Sequence, residues 1–309
     1  MPPKRVRSVA PKYTPEARAA GIQGTVVLES TVNEAGDITD PVVLSPLGFG
    51  LDESAVEAVR QWKFEPGTKD GRPVGILASI QVNFKLTGMP FDEKNERRRA
   101  DYNTALSRFA RSDGPAKTAA VGTIRRLARE GFAPALFALA TWIEDGRLAP
   151  EATENVAELL TKAADLKHPP AMYELGRRSL AGQGFPVDRE KGLKLILGAA
   201  SRGIGLAQMS LGNRYEAGEG VPQDRELALK YFRLCGGGEP SCHFFAARIL
   251  LSTPSRKDRD VVEAVARLEL AADQAYAPAR TLLDQERPNV TAEQAKRVAG
   301  LKKSLSPPK

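Results

Sequence analysis

Between Gly24 and Val32 the chain alternates. Val26, Leu28, Ser30 and Val32 fall on one side, and Thr25, Val27, Glu29 and Thr31 on the other. A period of two carried by β-branched residues predicts a strand with one face on a core. Asn33-Glu34-Ala35-Gly36-Asp37 predicts a tight turn in which Gly36 takes the positive φ of a short hairpin. Ile38 to Leu44 returns as a second strand. Pro41 has no N–H and belongs at an edge or a bulge. Leu51, Ala55, Val59 and Trp62 then recur at helical spacing, Asp52 caps or charges the start of that helix, and Phe64-Glu65-Pro66 ends it. After a turn at Lys69 to Pro73 a long strand is predicted from about Val74 to Leu86. Ile80, Val82, Phe84 and Leu86 share one face, and Ser79, Gln81, Asn83 and Lys85 the other. The order β-β-α-β gives a small sheet with one helix packed on it.

From about Phe91 the pattern turns helical and repeats with a period of 36 residues. Ala135, Ala171, Ala207 and Ala279 fall in register, with His243 in the fourth slot. Leu139, Leu175, Leu211 and Leu283 form a second row that Ala247 interrupts. Leu160, Ile196, Phe232 and Leu268 give a bulky row; Ala163, Ala199 and Ala271 give a small one completed by Cys235. Small residues let paired helices approach and large ones fill the groove between them. Gly146, Gly182 and Gly218 stand where a left-handed helix cap is wanted, and Asp188 and Asp224 where the second helix of a pair needs its N-cap. A single such unit cannot bury its apolar face alone, so the units must stack.

Charge refines this picture little. The net charge is +7. Residues 1–90 are balanced, and the excess lies in the helical part, densest at Arg97-Arg98-Arg99 and around Lys302-Lys303. No aromatic stacking platform or base-reading motif accompanies it, so a solvated helix face is expected and no nucleic acid partner. The longest uncharged apolar run, Ala133 to Ile143, is too short to span a bilayer. Met1 to Arg5 has charge but no apolar segment behind it, so no signal peptide is expected there. Both ends, rich in proline and lysine, are expected to be frayed.

Four motifs bring a resemblance. Ala10-Pro11-Lys12-Tyr13-Thr14-Pro15-Glu16-Ala17-Arg18, Gly21-Ile22-Gln23-Gly24-Thr25-Val26, Leu51-Asp52-Glu53-Ser54-Ala55-Val56 and Trp62-Lys63-Phe64-Glu65-Pro66 stand in one order over residues 8–86. This segment resembles the TonB C-terminal domain, with Thr14 inserted where that family has Tyr-Pro. The resemblance implies a periplasmic domain that grips an extended segment of an outer-membrane transporter by strand addition at its last strand. Physically, an unpaired edge offers N–H and C=O groups at strand spacing. The expected partner-binding residues are Ser79, Gln81, Asn83 and Lys85, with Tyr13, Thr14, Pro15 and Arg18 nearby; pairing of the edge with its own copy, or with the N-terminal segment, is the other reading. Leu211-Gly212-Asn213-Arg214-Tyr215-Glu216-Ala217-Gly218-Glu219-Gly220-Val221-Pro222-Gln223-Asp224 resembles the Sel-like repeats, relatives of the TPR. That likeness implies a solenoid that serves as an adaptor for a second protein.

Cys235 and Cys242 flank a turn containing Gly236-Gly237-Gly238. The residues leave three states open: a bridge, two buried thiols, or a metal site with His243. Cysteine-rich Sel-like proteins close this turn with a bridge, so the resemblance implies a disulfide. No metal is expected, since no fourth ligand is evident. A disulfide favours an oxidising compartment, which implies that an export signal or membrane anchor is missing from this chain.

Catalytic chemistry is poorly represented. The only histidines are His168 and His243, and His168 is expected at the surface of a turn. Glu216 and Glu219 read as solvated or capping groups.

The sequence therefore predicts an α+β protein: a TonB-like domain at 1–88, a linker and helical cap at 89–130, Sel-like repeats at 131–285, and a terminal helix with a disordered tail at 286–309. The expected function is non-enzymatic protein binding in the periplasm, with no cofactor and no small-molecule substrate. The expected partner is an outer-membrane transporter or another envelope protein, with membrane contact only through the missing anchor. A TonB-type energy transducer lacking its anchor is the alternative. A third reading, an envelope hydrolase, would need paired carboxylates or a nucleophile beside a base.

Overall fold

The structure, a computed structural model, describes residues 2–14, 17–18, 24–45, 47, 49–69, 71–85, 93–235, 239–254 and 256–306. The chain falls into two compact units, Met1–Thr87 with Ser201–Lys309, and Gly88–Ala200.

In the first unit the alternating segments form a three-stranded antiparallel sheet. Its strands are β2 (Gly24–Val32), β3 (Ile38–Ser45) and β7 (Ile76–Phe84), in the order β3-β2-β7. Gly36 has φ 80°, and a side chain there would collide with the carbonyl oxygen of Phe64. Helix α1 (Leu51–Val59) packs Leu51, Ala55 and Val59 onto Val26, Leu28, Ile80, Val82 and Phe84. Asp52 is not the cap: Gly50 holds that position, and the Asp52 carboxylate accepts from the Leu47 N–H at 2.7 Å, tying down the entry loop.

Two expectations are corrected here. Residues 63–65 do more than end the helix: Lys63–Glu65 is a strand, β4, and it pairs with β1 (Lys4–Arg7). The N-terminal end is therefore not frayed, because β4 supplies a hydrogen-bonding partner for it. The pair is secured by Trp62, whose Nε1 donates to the Val9 oxygen at 2.8 Å and whose ring lies 4.6 Å below the Arg5 guanidinium. A short hairpin, β5 (Thr68–Lys69) with β6 (Arg72–Pro73), leads into β7.

Beyond α1, the α-helices of this unit are α8 (Gly205–Ala217), α9 (Arg225–Cys235), α10 (Pro240–Leu251), α11 (Asp258–Asp273), α12 (Ala277–Glu286) and α13 (Ala292–Leu305). Their repeat rows are buried as the 36-residue register predicts: Ala207, Leu211, Phe232, Leu268 and Ala271 are all inaccessible. Gly218 caps α8 in the left-handed region, and Asp224 Oδ1 accepts from the Leu227 N–H at 2.9 Å to start α9. Strand β3 is shared between two cores. Val43 packs on the β-domain's core, while Leu44 and Val42 join the cluster formed by Ala247, Leu250, Val265 and Leu268.

The second unit carries α2 (Glu93–Arg111), α3 (Pro115–Arg129), α4 (Ala133–Glu144), α5 (Val156–Asp165), α6 (Pro169–Ala181) and α7 (Arg189–Ala200). Phe109 of α2 stacks on Trp142 of α4 at 3.7 Å. Helices α6 and α7 meet at Gly176 and Gly192, where a Cβ on either would lie 2.9 Å from the other's carbonyl oxygen. His168 is not a surface residue. It is half-buried, its ring 5.3 Å from that of Phe137, because as the N-cap of α6 it packs against α4.

Candidate functional site

The two margins of the three-stranded sheet differ in kind. β7 pairs with β2 over nine consecutive residues, Gly24↔Phe84 to Val32↔Ile76, without a bulge or a proline. Among the described residues no strand lies on its other side. Its burial alternates as predicted: Ile80, Val82 and Phe84 are buried, whereas Ser79, Gln81 and Asn83 are exposed, as is Lys85 just beyond the strand. β3, on the opposite margin, pairs with β2 through an irregular register broken between Glu29 and Thr31. Asp40 has φ 50° there, and Pro41 removes a donor. A long, regular edge is a template for another extended chain, while a bulged edge with proline resists pairing.

Of the expected flanking residues, Tyr13 and Arg18 lie at the Phe84 end of β7. The Tyr13 ring meets Phe84 edge-on at 5.4 Å, and the Arg18 guanidinium sits 5.5 Å from the Tyr13 ring centroid. Burial raises the Tyr13 pKa against the opposing pull of Arg18, so the phenol is neutral at ordinary pH. Thr14 uses its hydroxyl within the domain: it donates to the Phe49 oxygen at 2.6 Å and accepts from the Ala17 N–H at 3.1 Å. Across the exposed face, the Thr25 hydroxyl donates to Asn83 Oδ1 at 2.6 Å. Pro15 and Leu86 lie outside the described residues.

Other chemistry is sparse. Cys235 and Cys242 form a disulfide, with Cα atoms 5.9 Å apart. Burial lowers the His168 pKa to about 4; burial and then the Arg267 charge lower that of His243 to about 3. Both rings are neutral at pH 7, and neither is poised as a general base near neutrality. Glu216, partly exposed, receives two contacts from Arg248, at 2.6 and 2.7 Å. Among the described residues no cluster of three or more His, Cys, Asp or Glu could hold a metal, and no helix is long and apolar enough to cross a membrane. Unit Gly88–Ala200 contains a groove of about 630 Å³ floored by Leu136, Leu139 and Leu159 and rimmed by Arg125, Arg129 and Lys162.

Known proteins resemble the two parts separately. Residues 9–86 match the family described as Gram-negative bacterial TonB protein C-terminal. Residues 169–204 and 205–234 match the Sel1 repeat. Protein TonB of Vibrio cholerae is 43% identical over 81 residues, covering 26% of this chain and 33% of that protein. Protein TonB of Xanthomonas campestris is 39% identical over 77 residues, covering 25% and 34%. The chain thus spans about a third of the length of these relatives. A protective antigen of uropathogenic Escherichia coli displaying an SLR fold superposes with TM-score 0.53 at 20% identity, over 69% of this chain and 46% of that one, a likeness of fold.

Proposed function

We propose, from a TonB-like domain joined to Sel1 repeats, that this protein binds other proteins of the bacterial envelope without catalysis, and that β7 takes an extended segment by strand addition. The observation that carries this reading is the asymmetry of the sheet: nine regular residues on the β7 side, against a bulge and a proline on the β3 side. An added strand would find its hydrogen bonds along Ser79 to Lys85, and Tyr13 and Arg18 would flank one end. Recognition of this kind reads main chain first and side chains second.

The TonB likeness of residues 9–86 and the disulfide both support a periplasmic site of action, since disulfides persist in oxidising compartments. An outer-membrane transporter is the partner that the TonB likeness favours. The groove over Leu136, Leu139 and Leu159 is the place in the Gly88–Ala200 unit where a second protein would be held.

The test is capture from an envelope extract with the full chain as bait. Wild type should retain outer-membrane proteins. Gln81→Pro, which removes a donor and stiffens the strand, should lose them, while Ser79→Ala and Asn83→Ala should keep them. Equal capture by Gln81→Pro, with unchanged circular dichroism, would remove the edge from the mechanism.

A further inference from the structure

The repeats are expected to serve as an adaptor for a second protein, but α10 and α11 already have an occupant. β3 sends Val42 and Leu44 into their core, and Leu44 is 2% exposed there. Its carbonyl oxygen, on a strand with β2 on one side only, accepts from Arg267 Nη2 at 2.6 Å. Arg267 is itself buried and oriented from two sides. Glu263 accepts from its Nε at 2.8 Å, and His243 Nδ1 lies 3.3 Å from its Nη1. Glu263 is fixed in turn by Arg233 of α9, at 2.8 and 2.5 Å. Two further ties border this seam: the Lys230–Glu53 ion pair at 2.9 Å and the Phe49 N–H donated to the Ser201 oxygen at 3.0 Å.

The repeat pattern departs from its own register at this seam. His243 occupies a slot that is alanine in the other units, and it faces Arg267. Ala247 occupies a leucine slot, in the same cluster that Leu44 enters. A smaller residue and a polar one stand where a side chain and a carbonyl arrive from β3. Those exchanges would only weaken a free-standing repeat.

We propose that helices α9 to α11 are a built-in clamp that takes the β3 margin as its ligand. This closes the β3 side of the three-stranded sheet and leaves β7, among the described residues, as that sheet's open margin, at which a foreign segment can add. One chain then takes one segment. The closure stands on the seam alone, whereas the last step rests on the strand-addition reading of β7. A corollary is that a second protein partner does not use the α10–α11 core that β3 already fills.

Residue-resolved hydrogen exchange on the full chain tests the clamp. Alternate amides of Ile76–Phe84 should exchange about 100-fold faster than those of Val42 to Leu44, because only the latter margin is covered. Comparable rates on the two margins would overturn the clamp. Arg267→Met removes the donor to Leu44 and leaves Glu263 with Arg233; Leu44→Ala shortens the apolar key and leaves the polar contacts. Each should speed exchange at Val42 to Leu44 about 10-fold. Unchanged exchange at Val42 to Leu44 in both folded variants would also overturn it, and if neither variant folds the wild-type comparison decides. Failure of envelope proteins to bind, with the exchange asymmetry intact, would remove the strand-addition reading and leave the clamp in place.

Discussion

Glu263→Gln should be among the most damaging single changes in the Met1–Thr87 and Ser201–Lys309 unit. The Glu263 side chain is 5% exposed and shared by two guanidiniums, one of them, Arg267, 1% exposed. A neutral amide leaves Arg267 buried without its counter-charge, which costs about 3–5 kcal/mol when one member of such a pair is removed. Titration points in the same direction. Burial alone would raise the Glu263 pKa, but Arg233 and Arg267 outweigh it and hold the carboxyl at about 2, down from 4.5. The pKa is depressed in the fold, so this stability is fully present above pH 4.5 and is lost as the pH falls towards 2. Trp62 lies in this unit and Trp142 in the other. Urea unfolding followed by fluorescence in a Trp142→Phe background therefore isolates it. The gap between wild type and Glu263→Gln should be several kcal/mol at pH 7 and clearly smaller at pH 3. A gap below about 1 kcal/mol at pH 7, or one that does not shrink in acid, would refute this account of the network.

Other expectations concern the repeats. Gly212→Ala places a methyl 2.6 Å from the Phe232 ring and should cost about 1–3 kcal/mol by overpacking, read from the same urea curves; a neutral effect would mean the two helices separate freely. Replacing Cys235 and Cys242 by serine reopens a short loop and should cost about 2.4 kcal/mol on the chain-entropy scale, measurable as a lower unfolding midpoint than that of the oxidised protein. His168 is neutral in the fold and charges on unfolding, so the Gly88–Ala200 unit should lose stability as the pH falls from 6.5 towards 4. Trp142 fluorescence in a Trp62→Phe background should show that loss, and His168→Gln should flatten it.

Much of this architecture is legible in the sequence because it is periodic. The two-residue alternation places Val26, Leu28, Ile80, Val82 and Phe84 on one core, and the 36-residue register places Ala207, Leu211 and Phe232 on another. What escapes is non-local. Lys4–Arg7 has no apolar alternation, and its strand exists only because Lys63–Glu65 is there to pair with it. The docking of β3 onto the repeats had a signal that alternation hides: Val42-Val43-Leu44 is a continuous apolar run, as expected of a strand buried on both faces. Val27, 3% exposed on the nominally outer face of β2, carries the same message. Gly176 and Gly212, 36 residues apart, likewise mark helix crossings that the alanine and leucine rows do not show. At the proposed site the alternation of Ser79, Gln81 and Asn83 was readable. The openness of their margin was not, because it depends on which strands pair and on what covers β3.

The central claim is that β7 completes its hydrogen bonding with another polypeptide. The most direct measurement is amide exchange across the full chain with and without a peptide from a captured envelope protein. The claim predicts new protection at alternate amides of Ile76–Phe84 and little change elsewhere. Protection confined to the Leu136–Leu159 groove, with β7 unaltered while the peptide is bound, would contradict it.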